Sequence, residues 1–95
     1  MFKELDPLLH SELRLGVMSI LISVESADFT YIRKQTGATS GNLSVQLEKL
    51  SKAGYITIEK GFNGKVPRTT CLITKGGIKA FSEYVEALQT YIAKK

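Results

Sequence analysis

The apolar positions Leu9, Leu13, Val17, Ile20, Leu21 and Val24 recur at helical spacing, and Asp6-Pro7 stands just before them. Aspartate can cap a helix, and proline suits the first helical position because its missing N–H had no partner there anyway. A first helix over about residues 7–24 is therefore predicted. Leu15, Met18 and Ile22 add apolar groups on other sides. A helix apolar around most of its circumference must be covered on most sides. One small domain hardly does that alone, which points to a partner subunit.

The stretch "SADFTYIRKQTG" predicts a short second helix, capped by Asp28, with Phe29 and Ile32 inward and Gly37 at its end. "ATSGNLSVQLEKLSKAG" predicts a third, with Thr39 or Ser40 as cap and Gly54 at a left-handed terminus. Its Leu43, Leu47 and Leu50 fall on one face. So few residues separate these two helices that a tight helix–turn–helix is forced. "YITIEK" then alternates, with Tyr55, Thr57 and Glu59 facing one way and Ile56, Ile58 and Lys60 the other, and "RTTCLIT" is a second β-rich run. Between them "KGFNGKVPRT" reads as a flexible cationic loop, turned at Asn63-Gly64 and limited in its motion by Val66-Pro67. Thr74 can cap a last helix over about residues 75–93, whose Ile78, Phe81, Val85, Leu88 and Ile92 alternate three and four apart, a heptad seam. That seam can pack on the chain's own first helix or across a dimer. The expected fold is mainly α with a small β-hairpin, in the order helix, helix, helix, strand, loop, strand, helix.

Charge sharpens this picture. The 95 residues carry 13 Lys and Arg against 9 Asp and Glu, a formal charge of +4. Between Asp28 and Arg68 lie Arg33, Lys34, Lys49, Lys52, Lys60, Lys65 and Arg68, opposed by Asp28, Glu48 and Glu59 alone. The flanks balance, so the whole excess belongs to the middle of the chain. A sided positive field suits a polyanion, nucleic acid before anything else.

Other chemistries find little support. Cys71, in "TTCLIT", reads as a core residue and His10 as structural or solvated; one cysteine and one histidine make no metal cluster. Acids are scattered without a catalytic pair, and no nucleophile elbow, P-loop or dinucleotide fingerprint occurs. Neither an enzyme nor a cofactor is expected. "LGVMSILISV" is about half a membrane span. "MFKELDP" has acids and a proline where a signal peptide would begin. The expected compartment is the cytoplasm, with no membrane partner.

The passages "LEKLSKAGYI", Leu47 to Ile56, and "LITKGG", Leu72 to Gly77, in this order and spacing, resemble the core of MarR-type and ArsR-type bacterial transcription regulators. Their small relatives, the stand-alone winged-helix DNA-binding domains, are the most similar. The resemblance covers nearly the whole chain and implies a winged helix–turn–helix over residues 1–95 that binds double-stranded DNA as a homodimer. By that resemblance the third helix is the reader, with Ser40, Asn42, Ser44, Val45 and Gln46 at its reading positions, and the loop is the wing, through Lys60, Asn63, Lys65 and Arg68; Thr39 and Lys49 of the third helix are further candidates for DNA contact. The first and last helices would form the dimer interface through Leu13, Val17, Ile78, Phe81, Tyr84, Val85, Leu88, Tyr91 and Ile92. A small-molecule effector, which no residue identifies, would bind at the dimer crevice near the first helix.

The residues themselves fit that role. Short or amide side chains let a helix enter the major groove, where Asn and Gln can pair with adenine edges; Val45 suits a thymine methyl. Many relatives place Arg or His where this chain has Val45 and Gln46, so fewer guanine contacts are expected. Plain solvated positions would use the same residue types, and Asn63-Gly64 would serve any hairpin. A protein-docking winged helix is the rival reading, and an RNA-binding one a third, with Phe62 available to insert.

Overall fold

The computed structural model describes residues 1–92. The expected end of the last helix at Ala93 lies outside them. Among these residues four helices, α1 (Glu12–Val24), α2 (Phe29–Thr36), α3 (Ser40–Lys52) and α4 (Lys75–Ile92), accompany a sheet of β1 (Ser26–Asp28), β2 (Ile56–Asn63) and β3 (Val66–Ile73). The sheet is antiparallel in the order β1-β3-β2. This is the expected mainly α architecture with a small β wing.

The first helix starts later than the Asp6-Pro7 signal predicts. Asp6 does cap: its Oδ1 accepts from the Leu8 N–H at 2.9 Å, and its carbonyl accepts from Leu9 and His10 at 3.1 and 3.0 Å. That closes a single turn. The chain is then extended at Ser11 (φ −152°), whose hydroxyl accepts from the Arg14 N–H and opens α1 proper. The isolated turn persists because it drops Leu9, fully buried, into the core.

Asp28 and Thr39 cap α2 and α3 as their side chains allow, at 2.8 Å to Tyr31 N–H and 3.2 Å to Asn42 N–H. Gly37 ends α2 in the left-handed region, φ 73°. The core gathers Leu9, Val17, Met18 and Leu21 with Ile32 of α2, Leu43, Leu47 and Leu50 of α3, and Ile56, Cys71 and Tyr84. Cys71 is the core residue expected. Met18, expected on a side away from the main stripe, is fully buried with the rest.

The two passages that carry the family resemblance are packing partners. Helix α3 ends in a paired-bond terminus: Tyr55 N–H reaches the Leu50 carbonyl and Gly54 N–H the Ser51 carbonyl, each at 3.0 Å, with Gly54 at φ 82°. The Tyr55 carbonyl then accepts from Thr74 N–H at 3.1 Å. The Thr74 hydroxyl donates to the Gly54 carbonyl at 2.6 Å and accepts from Gly77 N–H at 2.9 Å, capping α4. Gly77 lies so close to this junction that an added Cβ would sit 2.1 Å from the Tyr55 oxygen. The end of α3 is thus bolted to the start of α4.

Three expectations about the sheet and last helix need correction. First, β1 was not foreseen: Ser26, Ala27 and Asp28 pair with Leu72, Cys71 and Thr70. Three residues are too few for a period of two to show. Second, "KGFNGKVPRT" is not a loose loop. The β2–β3 ladder runs from Ile56↔Ile73 to Asn63↔Val66, and the turn residues are Gly64 and Lys65, one step later than Asn63-Gly64. Gly64 takes the positive φ, 68°, that the first corner of such a turn favours. Pro67 is tolerated because the β1 pairing stops at Asp28↔Thr70, leaving that edge of β3 open. Third, the heptad seam is split. Phe81 and Leu88 pack on the core, whereas Ile78, Val85 and Ile92 are exposed. Val17 and Tyr84, assigned to a dimer surface, lie inside the subunit: Val17 is fully buried, and Tyr84, 4% exposed, has its hydroxyl 2.9 Å from His10 Nδ1. Tyr91 stays half-exposed, stacked on Phe2 with ring centroids 4.7 Å apart.

Candidate nucleic-acid interface

With Leu43, Leu47 and Leu50 turned inward, α3 presents Ser40, Gly41, Asn42, Ser44, Val45 and Lys49 to solvent. Val45, 52% exposed, stands at the centre of this face as a bare apolar group. Glu48 is exposed on the same helix beside Ser44, an acid among the expected reading positions. Thr39 is committed to capping, its hydroxyl holding Asn42 N–H. Gln46 is half-buried.

The hairpin approaches one flank of α3. On its inner face Ile56 and Ile58 meet the core; two residues on, Lys60 and then Phe62 continue that face outward. Lys60 borders an open groove of about 370 Å³ with Ser40, Ser44 and Glu48 of α3, Phe29 of α2 and Thr69 of β3. The wing base and the outer half of α3 therefore share one side of the molecule. Asn63 and Lys65 are exposed at the tip. Phe62, 73% exposed, and Val66 make the wing edge apolar as well as cationic.

The other flank of α3 faces α1. Arg14 donates from Nε to the Leu8 carbonyl at 2.5 Å and from Nη1 to Gln46 Oε1. Gln46 Nε2 donates in turn to Asn42 Oδ1 at 3.0 Å. Arg68, expected as a wing cation, lies in the third ladder pair from the turn, opposite Gly61, with its Nη2 3.6 Å from Asp28 Oδ2. Arg33, Lys34, Lys49, Lys52, Lys60 and Lys65 have no carboxylate within 4.0 Å among the described residues. Sequence reasoning missed Arg14 altogether; an arginine on an amphipathic helix carries no signal of a partner thirty-two positions away. Among the described residues no group of three or more His, Cys, Asp or Glu could hold a metal, and no helix is long and apolar enough to cross a membrane.

The profile of the Winged helix DNA-binding domain family matches residues 13–92. The chain belongs to this family. The match runs from the second residue of α1 to the last of α4 and takes in all three strands. The chain is 33% identical over 82 residues to an uncharacterized protein of Methanocaldococcus jannaschii, covering 84% of this chain and 88% of the other. It is similar to the transcriptional regulator homologue protein of Pyrococcus horikoshii OT3, with TM-score 0.83 and 29% identity over 90% of this chain and 84% of that one. A MarR-family transcriptional regulator of Silicibacter pomeroyi shares the fold at TM-score 0.69 and 16% identity, over 87% of this chain and 55% of that one. The chain shares its winged-helix fold with that regulator. Its α3 occupies the place of the second helix of a helix–turn–helix, and its β2–β3 hairpin that of the wing.

Proposed function

We propose that this winged helix is a cytoplasmic, sequence-specific regulator of transcription that binds double-stranded DNA as a homodimer. In this reading α3 enters the major groove, and the hairpin lies along the backbone or in the minor groove. Two copies of α3 would occupy successive major grooves about 34 Å apart on a pseudo-palindromic site. The observation that carries the reading is the groove that joins Lys60 of the wing to Ser40 and Ser44 of α3, with the surplus cations on the elements around it. A duplex pressed against that side would meet α3 and the hairpin together.

The dimer finds support in the outer stripe of α4, where Ile78, Val85 and Ile92 are exposed, and in Ile22 and Val24 of α1. Leu13, Phe81 and Leu88, half-buried, would lie at its edge. A cleft of about 640 Å³ between α1, α2 and α3, reaching from Leu13 to Asn42, is the place where a small effector would touch the reading helix. A protein-docking role would draw on the exposed Phe62 and Val66 instead.

Selection of bound duplexes from a random pool, with the mass of the complex recorded, tests the proposal. A two-fold symmetric motif held by two chains is the expected result. Lys65→Ala should weaken every duplex alike, whereas Asn42→Ala should blur the motif. Failure to enrich any sequence would favour the docking role.

A further inference from the structure

From the contacts between α1 and α3 we infer that Arg14 is a positioning residue that sets the hydrogen-bond polarity of Asn42, so that α3 reads an acceptor-bearing base edge, guanine, rather than adenine. This rests on the reading of α3 as the DNA-reading helix.

The chemistry runs in one direction only. A guanidinium has donors and no acceptor, so the group Gln46 turns toward Arg14 has to be its carbonyl oxygen, Oε1. The Gln46 amide nitrogen is then left facing Asn42, and only an acceptor can meet it: Asn42 Oδ1, at 3.0 Å. Each amide orientation follows from the one before it, so the charge on Arg14 fixes both. Arg14 is itself held, since its Nε is bonded to the Leu8 carbonyl, whose neighbour Leu9 is anchored in the core. Gln46 takes one of the two lone pairs of Asn42 Oδ1, so the wholly uncommitted end of the amide is Nδ2, two N–H donors on an exposed side chain.

Bidentate reading of adenine needs an amide to offer oxygen and nitrogen on the same side, to N6 and N7. Here that oxygen already gives one lone pair to Gln46, whereas the nitrogen has no partner among the described residues. Guanine presents two acceptors, O6 and N7, side by side in the major groove and suits a donor pair. The adenine pairing that residue type alone allows is thereby disfavoured by a residue on another helix.

The test is duplex selection from a random pool with the wild type, Asn42→Ala, Gln46→Glu and Arg14→Met. Asn42→Ala marks the base position that Asn42 reads. Wild type should prefer guanine there. Gln46→Glu keeps an acceptor for Arg14 but can no longer donate to Asn42. The Asn42 amide should then turn its nitrogen to the new carboxylate and its oxygen to the DNA, and the preference at that one position should pass to adenine or cytosine by about fivefold or more. Arg14→Met should broaden the same position without naming a new base. Thermal melts separate this from loss of fold, and Gln46→Glu leaves the Arg14–Leu8 bond in place. A role for Arg14 in stability alone would lower affinity and leave the motif unchanged. Adenine preferred by the wild type, an Asn42→Ala motif identical to wild type, or an unaltered position in Gln46→Glu would each overturn the relay while leaving DNA reading intact. No motif from the wild type would overturn both.

Discussion

The Arg68 guanidinium lies 3.6 Å from the carboxylate of Asp28, and the other oxygen of that carboxylate accepts the Tyr31 N–H at the start of α2. One acid thus caps the second helix and occupies a cation of the wing. Asparagine caps about as well as aspartate. Asp28→Asn should therefore preserve stability and release Arg68 to phosphate. Binding should tighten on every duplex, and the log–log salt slope should steepen by about 0.9, one additional phosphate contact. Titrations at several salt concentrations check this. Asp28→Ala should release the same cation but lose the cap, at about 1 kcal/mol of stability.

Gly77 is fixed by its neighbour's backbone. Space for a methyl group is absent, since a Cβ there would stand 2.1 Å from the Tyr55 oxygen and 3.0 Å from the Ile73 side chain. Gly77→Ala should cost about 3 kcal/mol or more, through forced separation of α4 from the end of α3. Gly76→Ala, whose nearest contact would be 3.4 Å, should cost much less. Urea unfolding of the two variants side by side gives the comparison.

Alkaline pH should loosen the fold through two groups. The hydrogen bond from the Tyr55 hydroxyl to Asp6, 2.6 Å long, holds the phenol protonated and moves its pKa from 10.0 to about 12. Burial moves the Cys71 thiol from 9.0 to about 11. Both folded values are raised, so the unfolded chain releases its proton first as pH climbs. The contribution of Tyr55 is complete below pH 10.0 and is lost toward about 12; that of Cys71 is complete below 9.0 and is lost toward about 11. Tyr55→Phe should flatten the upper part of a melting-temperature profile taken across this range. Cys71 should also resist thiol reagents at pH 8 until urea opens the core.

Val85 is 38% exposed on the outer stripe of α4, between Ile78 and Ile92. A glutamate there meets water in a lone subunit and desolvated apolar surface in a dimer. Val85→Glu should leave the helical signal intact and halve the mass seen by sedimentation. An unchanged mass would remove the α4 stripe from the interface.

Much of this molecule is legible in short stretches of its sequence, because the forces concerned act within a few residues. Asp28 and Thr39 cap their helices, Gly37 and Gly54 take positive φ at the ends, and Leu43, Leu47 and Leu50 share one buried face. Each is decided by a side chain and the turn beside it. The start of α1 misleads for the same reason: Asp6 caps a real turn, but the chain is extended again at Ser11 once Leu9 is buried.

What the tertiary structure decided are the pairings that cross the chain. Nothing near Ser26 announces a strand until Leu72 lies opposite it, and nothing near Arg68 marks it as spoken for until β3 carries it past Asp28. Tyr84 looks like a surface member of a heptad until His10 meets its hydroxyl. The local pattern alone chose the helices, the hairpin and the place of the positive charge. Which cations stay free, which way the Asn42 amide points and which half of the α4 seam faces outward were set by residues dozens of positions away, because a hydrogen bond or an ion pair acts over a few ångströms of space and is indifferent to distance along the sequence.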